Sequence, residues 1–266
     1  MVVILEGGCR VSQMHYGEPL VEGTLRIWKQ IGRATGAESI SLRVMEFAPG
    51  LSPTIRNEDC DEILYILDPS SEVSTTRESG WVNVLIDGQS CEVGPDSGIY
   101  IRPHQTFAID NPGPDSITII SSQCPDPDRA PAFVSTPASP PDPTTDLSSP
   151  IVRLADQRAQ PTADRWYRVL VDDEIGSAQV TQFVGSIPPG RAPDHFHLYE
   201  EVLFILKGEG RMWAGQTNTP VAPGSCIYLP KGQVHCVENT GEGELRLLGV
   251  FYPAGSPSVR YEAQSS

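Results

Sequence analysis

Apolar and polar residues alternate along much of this chain in short runs. Between Ile40 and Val44, for example, apolar residues are separated by polar ones such as Arg43, and this period of two is typical of a half-buried β-strand. Glycine and proline cluster between the apolar runs, as expected where short strands are joined by turns. The pattern predicts an all-β chain of the sandwich or barrel type, with one or two helical turns at 23–30.

An internal duplication organises the chain. The segment 62–67 (EILYIL) returns as 201–206 (EVLFIL), and the segment 98–111 returns in modified form as 226–239. The first copy has a longer stretch between its two segments. A polar loop at 68–80 is the natural place for the additional residues, and we predict a long hairpin loop there.

A linker separates the two copies. Residues 125–150 contain eight prolines together with Ser, Thr and Asp, a composition that cannot build a packed core. At 266 residues the chain is long enough for two domains of ordinary size. We therefore predict an N-terminal domain at 1–124, a linker at 125–150 and a C-terminal domain at 151–266.

Candidate metal ligands are concentrated in the second copy. Side chains at even separations along a strand share a face, so His195, His197 and Glu201 are predicted to point into one interior. His235 comes from a later strand, directly after a turn. The chain has five histidines, and three of them belong to this set, which argues against ordinary core histidines. Three imidazoles and one carboxylate suit a first-row divalent metal.

The first copy has lost most of this ligand set. Arg56 and Glu58 stand where the second copy has its first two histidines, and Phe107 stands where it has the third. Glu62 remains, but one carboxylate cannot hold a transition metal against water, so no metal is predicted in this half. Arg56 is expected either beside the carboxylate of Glu58 or Glu62, where it would offset the cost of burying a charge, or at the mouth of the barrel.

These residues resemble the two motifs of the cupin superfamily, and the duplication resembles a bicupin. The first motif, G-x5-H-x-H-x3,4-E-x6-G, is matched by His195, His197, Glu201 and Gly208, with its leading Gly190 one residue too close. The second motif, G-x5-P-x-G-x2-H-x3-N, is matched without a gap by Gly224, Pro230, Gly232, His235 and Asn239. The resemblance implies two tandem jelly-roll barrels joined by the Pro-rich linker. It also implies one divalent transition metal per chain (Fe, Mn, Ni, Co or Zn) in the C-terminal barrel.

The function that the resemblance implies is a metal-dependent enzyme acting on a small oxygen-rich molecule. The leading hypothesis is a non-haem dioxygenase-type oxidoreductase. A redox-neutral metal enzyme (isomerase, cyclase, lyase or aminohydrolase) and a non-catalytic binding or sensor protein remain open, because one fold carries many chemistries. Beyond the metal ligands, the sequence assigns no catalytic residue.

Strand parity and charge suggest residues for a substrate pocket. Three apolar residues are expected to line the interior beside the ligands: Leu203, Ile205 and Val237. Four cations lie near the ligands in sequence, and the first two are candidate clamps for a substrate carboxylate: Arg191, Arg211, Lys231 and Arg246. By the same parity, Tyr199 is expected to face away from the metal or to lie on the rim.

Composition limits the partners. The chain carries 19 basic and 34 acidic residues, and a net charge of -15 repels nucleic acids. The six cysteines contain no C-x-x-C pair and are predicted to be reduced thiols. No apolar run approaches the length of a membrane span, and no signal-peptide pattern is visible. We expect a soluble cytoplasmic protein with a small-molecule substrate. Its edge strands are protected either by formation of a homodimer or by packing of the two halves on each other within one chain.

Overall fold

The computed structural model describes residues 1–68, 80–135, 150–162 and 164–258, in which almost all regular structure is β, as predicted. The helical segments there are short 3-10 turns at Glu6–Gly8, Arg33–Thr35, Leu154–Asp156 and Asp173–Ile175. The strands of the first half are β1 (Val3–Ile4), β2 (Arg10–Gln13), β3 (Leu20–Glu22), β4 (Leu25–Ile31), β5 (Leu42–Phe47), β6 (Gly50–Leu51), β7 (Thr54–Arg56), β8 (Asp61–Ile66), β9 (Val82–Ile86), β10 (Gln89–Val93), β11 (Ser97–Ile101), β12 (Thr106–Asn111), β13 (Ile117–Cys124) and β14 (Ala132–Val134). Those of the second half are β15 (Ile151–Arg153), β16 (Gln160–Thr162), β17 (Arg165–Val171), β18 (Thr181–Ile187), β19 (Gly190–Arg191), β20 (Glu200–Lys207), β21 (Gly210–Ala214), β22 (Thr217–Val221), β23 (Ser225–Leu229), β24 (His235–Asn239) and β25 (Leu245–Tyr252).

Each half is a pair of antiparallel sheets that enclose an apolar interior. In the first half, a seven-stranded sheet (β15-β11-β8-β13-β5-β4-β3) packs against a second sheet (β10-β9-β12-β7-β14, with β6 on β12). In the second half, an eight-stranded sheet (β1-β2-β23-β20-β25-β18-β17-β16) packs against a four-stranded one (β19-β24-β21-β22). This arrangement confirms the predicted all-β fold of two tandem jelly-roll barrels.

The two halves exchange edge strands. Strand β2 pairs with β23 of the second half, in the register Arg10 with Tyr228, and β15 pairs with β11 of the first half, in the register Ser97 with Arg153. Each exchanged strand covers an edge of a large sheet that would otherwise present unpaired backbone groups. Both large sheets therefore contain residues from both copies, and the division into domains at 124 and 151 stays a prediction.

A third apolar core lies between the two large sheets. It contains residues of both halves, including Val44 and Tyr65 from the first and Val184 and Phe204 from the second. The alternation at 40–44 is therefore real, but its interpretation as a half-buried strand is wrong, because this sheet is covered on both faces. Arg43, which is 3% exposed, points into the first barrel instead of solvent.

The structure corrects or limits the predictions for three segments: 23–30, the linker 125–150 and the loop 68–80. The segment 23–30 forms strand β4 and not a helix, since Leu25 and Ile27 pack into the first barrel. The start of the expected linker is ordered: β14 pairs with β7, and Phe133 packs against the barrel interior. The rest of the linker, 136–149, and residues 69–79 of the expected hairpin loop lie outside the described residues. The strands that flank 68–80 belong to different sheets, so they are not hairpin partners.

The state of the cysteines and the length of the helices bear on two predictions made from composition. All six cysteines are free thiols, as predicted. Across the described ranges, no helix has the length and apolar character needed to cross a bilayer.

Candidate metal centre

Backbone pairing brings two of the three candidate histidines together. His195 and His235 form an isolated antiparallel bridge, in which the amide of each donates to the carbonyl of the other at 3.1 and 2.8 Å. His197 follows two residues later, before β20 begins. Each of the three rings offers one nitrogen, and these nitrogens lie within 4.8 Å of one another. The three imidazoles therefore converge and could hold one metal ion, while their role as ligands stays a prediction.

The second nitrogen of two rings is held by the backbone. Nδ1 of His195 lies 3.0 Å from the carbonyl of Pro193, and Nδ1 of His235 lies 2.8 Å from the carbonyl of Gln233. A carbonyl only accepts a hydrogen bond, so each Nδ1 carries the proton and each Nε2 keeps its lone pair. This is the second-sphere arrangement that orients histidines bound to metals.

Glu201, in the first residues of β20, lies beside the histidine cluster. Its side chain is buried, and one carboxylate oxygen lies 3.5 Å from Nε2 of His197. Burial raises the pKa of Glu201 to about 8, and burial together with the neighbouring His195 lowers the pKa of His235 to about 3. Removal of the group from water is the largest cause of both pKa shifts, and a bound cation would relieve the cost of an ionised carboxylate here.

The donor set fits a transition metal. Donors that share one ion at about 2.1 Å each lie at most about 4.2 Å apart, so nitrogens within 4.8 Å of one another need only small ring rotations to share an ion. Oriented Nε2 atoms and a buried carboxylate are the ligand types that first-row divalent metals prefer.

The corresponding glutamate of the first barrel is satisfied by protein groups. Glu62 is fully buried, and it accepts hydrogen bonds from Arg43, from Ser121 at 2.9 Å and from Gln123 at 3.1 Å. Arg56, which the sequence placed near Glu58 or Glu62 or at the mouth, is exposed, and Glu58 pairs with Arg129 at 2.8 Å. The partner of Glu62 is therefore Arg43 on β5, 19 residues earlier in the sequence.

In the second barrel, the same three positions carry no hydrogen-bonding side chain. The strand registers Arg43–Ser121 and Glu62–Gln123 correspond to Phe183–Gly249 and Glu201–Phe251. The guanidinium of Arg43 therefore lies inside the first barrel, where the second barrel has the phenyl ring of Phe183 next to the histidine cluster. In the first barrel, hydrogen bonds from Arg43, Ser121 and Gln123 occupy the carboxylate of Glu62. In the second barrel, the residues at these positions leave the carboxylate of Glu201 available to bind a metal.

A cavity of about 100 Å³ opens beside the histidines. Leu203 and Val237 line it, as parity suggested, whereas Ile205 is buried deeper in the same barrel. Strands β17 and β18 supply much of the remaining wall, which the sequence reasoning missed: Arg165, Trp166, Tyr167, Phe183, Gly185, Ser186 and Ile187. The period of two within a strand could have placed Arg165 and Tyr167 on one face.

The proposed carboxylate clamps lie elsewhere. Arg191 stacks on the ring of Trp213 at 4.2 Å and pairs with Asp194 at 3.0 Å, while Arg211 donates to Asn218 at 2.7 Å. Both arginines are exposed and lie outside the cavity wall.

Tyr199 lies beside the histidine cluster. Its ring stacks on His197 at 4.6 Å and on Phe251 at 4.4 Å, against the interior of the barrel. Tyr199 is half-buried, and the expectation that it faces away from the metal or lies on the rim stays a prediction, since 192–199 is not a regular strand to which a parity count applies.

The fold and the site together define a bicupin: two jelly-roll barrels, the second of which holds a histidine cluster suited to a metal. The family model described as Cupin domain matches residues 183–251, which include all four candidate ligands. The chain belongs to the cupin superfamily.

Curated relatives match less than a third of this chain. An uncharacterized protein of Aquifex aeolicus is 34% identical over 86 residues, covering 31% of this chain and 69% of that protein. Auxin-binding protein 1 of Arabidopsis thaliana is 31% identical, over 29% of this chain and 43% of its own. An oxalate-binding protein of Thermotoga maritima is 34% identical, over 24% of this chain and 55% of its own. The match thus spans about half the length of the latter two relatives.

Solved structures extend the likeness to 91% of the chain. A deletion mutant of Bacillus subtilis oxalate decarboxylase superimposes with a TM-score of 0.71, covering 91% of this chain and 76% of that one, at 15% identity. At this identity the likeness shows the bicupin fold and not the activity.

Proposed function

We propose that this protein is a metal-dependent cupin enzyme that acts on a small oxygen-rich molecule in its C-terminal barrel. The observation that carries the proposal is the convergence of three imidazole nitrogens within 4.8 Å, beside a buried carboxylate and an open cavity. We assign one divalent transition metal per chain to four ligands, which are His195, His197, Glu201 and His235.

Residues around the site orient the proposed ligands and exclude water from it. The backbone carbonyls of Pro193 and Gln233 fix two imidazoles with Nε2 toward the site. A bound divalent metal supplies Lewis acidity there, or reactivity toward O2 if it is redox-active. Apolar walls at Phe183, Leu203 and Leu247 keep water away from the reacting groups, which strengthens electrostatic interactions inside.

The reaction class we favour is a dioxygenase-type oxidation. A redox-active ion held by the four proposed ligands would supply reactivity toward O2 beside the cavity that receives the substrate. A redox-inert ion held by the same residues would supply Lewis acidity alone. Non-catalytic binding is a separate candidate, because two relatives are named as an auxin-binding and an oxalate-binding protein.

Metal analysis tests the site itself. His235→Ala removes one of four proposed donors and is expected to lower metal content sharply from about one equivalent per chain. His104→Ala is the matched control, since His104 belongs to the first half and lies outside the cluster. Equal metal contents in the two variants, or two equivalents in the wild type, would show that the ligand assignment is wrong.

Assays of oxygen uptake, product formation and binding separate the two reaction classes and the non-catalytic binding function. Oxalate is a suitable first substrate, because the Thermotoga relative is named for it. Oxygen uptake that requires metal supports the oxidation, whereas formate and CO2 production without net oxygen uptake supports a redox-neutral reaction. Saturable binding without turnover, across a panel of small hydroxy and keto acids, supports the binding protein and refutes the enzyme.

A further inference from the structure

Arg165 points into the cavity of the C-terminal barrel. Along β17 it shares the inward face with Tyr167 and Val169, both of which pack into the barrel interior. Its side chain is only 9% exposed, and it lines the same small cavity as His195 and His235. A buried guanidinium thus lies on the wall of a cavity that is otherwise mostly apolar.

The ion pair of Arg165 within the protein is weak. Its Nε donates to Asp164 at 3.1 Å, and that carboxylate is 66% exposed, so water screens the attraction. A guanidinium has five N–H donors in a planar fork that matches a carboxylate in a bidentate fashion. An anion inside the cavity would meet this fork in a drier environment than Asp164 does.

The first barrel shows that folding does not require an arginine at this position. The register Ile27–Met45 corresponds to Tyr167–Gly185, so Arg165 corresponds to Leu25, which is fully buried. The first barrel, in which Glu62 is hydrogen-bonded to protein groups, has leucine at this position. The second barrel, which contains the histidine cluster, has arginine.

The same comparison explains the size of the cavity. Met45 fills the interior of the first barrel, whereas Gly185 lines the cavity of the second. A volume of about 100 Å³ is that of a compact ligand, since one water occupies about 30 Å³ in the liquid.

We propose that Arg165 is the anion-binding residue of this cavity, and that the substrate is a small acid with two separate polar ends. One oxygen-bearing end faces the histidine cluster, and a carboxylate at the other end pairs with Arg165. This inference rests on the proposed metal-dependent function and adds the substrate class.

The test compares two probes that differ in one charge. Malonate and its half-amide malonamate are similar in shape and share one carboxylate, but only malonate has a second negative end. In the wild-type protein loaded with Zn²⁺, which is redox-inert, malonate is expected to bind about tenfold or more tightly, as a charge-assisted hydrogen bond provides. Calorimetric titration measures both affinities.

Variants assign the preference to one residue. Arg165→Leu installs the residue of the first barrel and is expected to bring the malonate-to-malonamate affinity ratio close to one, while Arg165→Lys keeps part of it. Arg26→Leu is the control, because this exposed arginine lies next to Leu25 on β4 of the other half. The inference is overturned if the wild type shows no preference for malonate, or if the preference survives in Arg165→Leu.

Zinc content measured in the same samples separates the two hypotheses. Zinc bound by wild type and Arg165→Leu alike, with an unchanged affinity ratio, refutes only the role of Arg165. Failure of the wild type to bind zinc refutes the proposed function. In that case titration of the metal-free protein still decides the role of Arg165, because its charge does not depend on an ion.

Discussion

Replacing Glu201 by glutamine tests the coupling between metal and proton at the site. Burial raises the pKa of this carboxyl to about 8, so the metal-free protein keeps it protonated at neutral pH. A carboxylate must lose its proton to bind a metal. With a pKa of about 8, about 0.9 proton leaves Glu201 per metal bound at pH 7, and about 0.1 at pH 9. Glu201→Gln has no such proton to release.

The sign of the pH dependence follows from the raised pKa. The folded metal-free protein favours protonated Glu201, so the stability from this group is fully present below its ordinary pKa of 4.5 and is lost as the pH rises through about 8. Metal binding requires the opposite form. Metal affinity is therefore expected to rise with pH, by up to about tenfold per unit below pH 8, and then to level off.

Calorimetry in paired buffers measures the released protons. Zn²⁺ is titrated at pH 7 and pH 9 in two buffers that differ in ionisation enthalpy, and the difference in apparent enthalpy gives the proton count. Protons from the histidines appear in both proteins, so the wild type minus Glu201→Gln isolates Glu201. Equal proton release by the two proteins at pH 7 would refute the reasoning.

Three further changes test other parts of the structure. Arg43→Leu leaves the buried carboxylate of Glu62 without its ion-pair partner and is expected to lower the free energy of unfolding, measured by urea denaturation, by about 3–5 kcal/mol. Adding Glu62→Leu is expected to restore most of this stability, and a loss below about 1 kcal/mol for Arg43→Leu would contradict a buried ion pair. Gly185→Met fills the cavity and is expected to weaken malonate binding more than tenfold at unchanged zinc content, whereas unchanged affinity would place the ligand elsewhere. Zinc at a thousandfold excess over its Kd is expected to stabilise the protein by about 4 kcal/mol, seen as a higher Tm, and His235→Ala should abolish the rise; an equal rise in both proteins would indicate a different site.

The sequence by itself determined the features that are local or repeated. Alternating runs and turn residues indicated strands, and the duplicated segments indicated two barrels. The spacing of His195, His197 and His235 indicated their convergence, although the parity argument behind it was only partly sound. Such features are readable because a strand's period and a motif's spacing belong to neighbouring residues.

Only the tertiary structure decided which distant strands share a sheet and what each buried charge meets. Arg43 looked like the polar face of a half-exposed strand until a second barrel was seen to cover that strand's other side. Its pairing with Glu62, and the position of Arg165 at the cavity, depend on contacts between strands that are far apart in sequence. The exchange of β2 and β15 between the halves is of the same kind. An amino-acid pattern reports which faces are apolar, but the partner of each face is chosen by packing over the whole chain, and that choice determined which barrel kept room for a ligand.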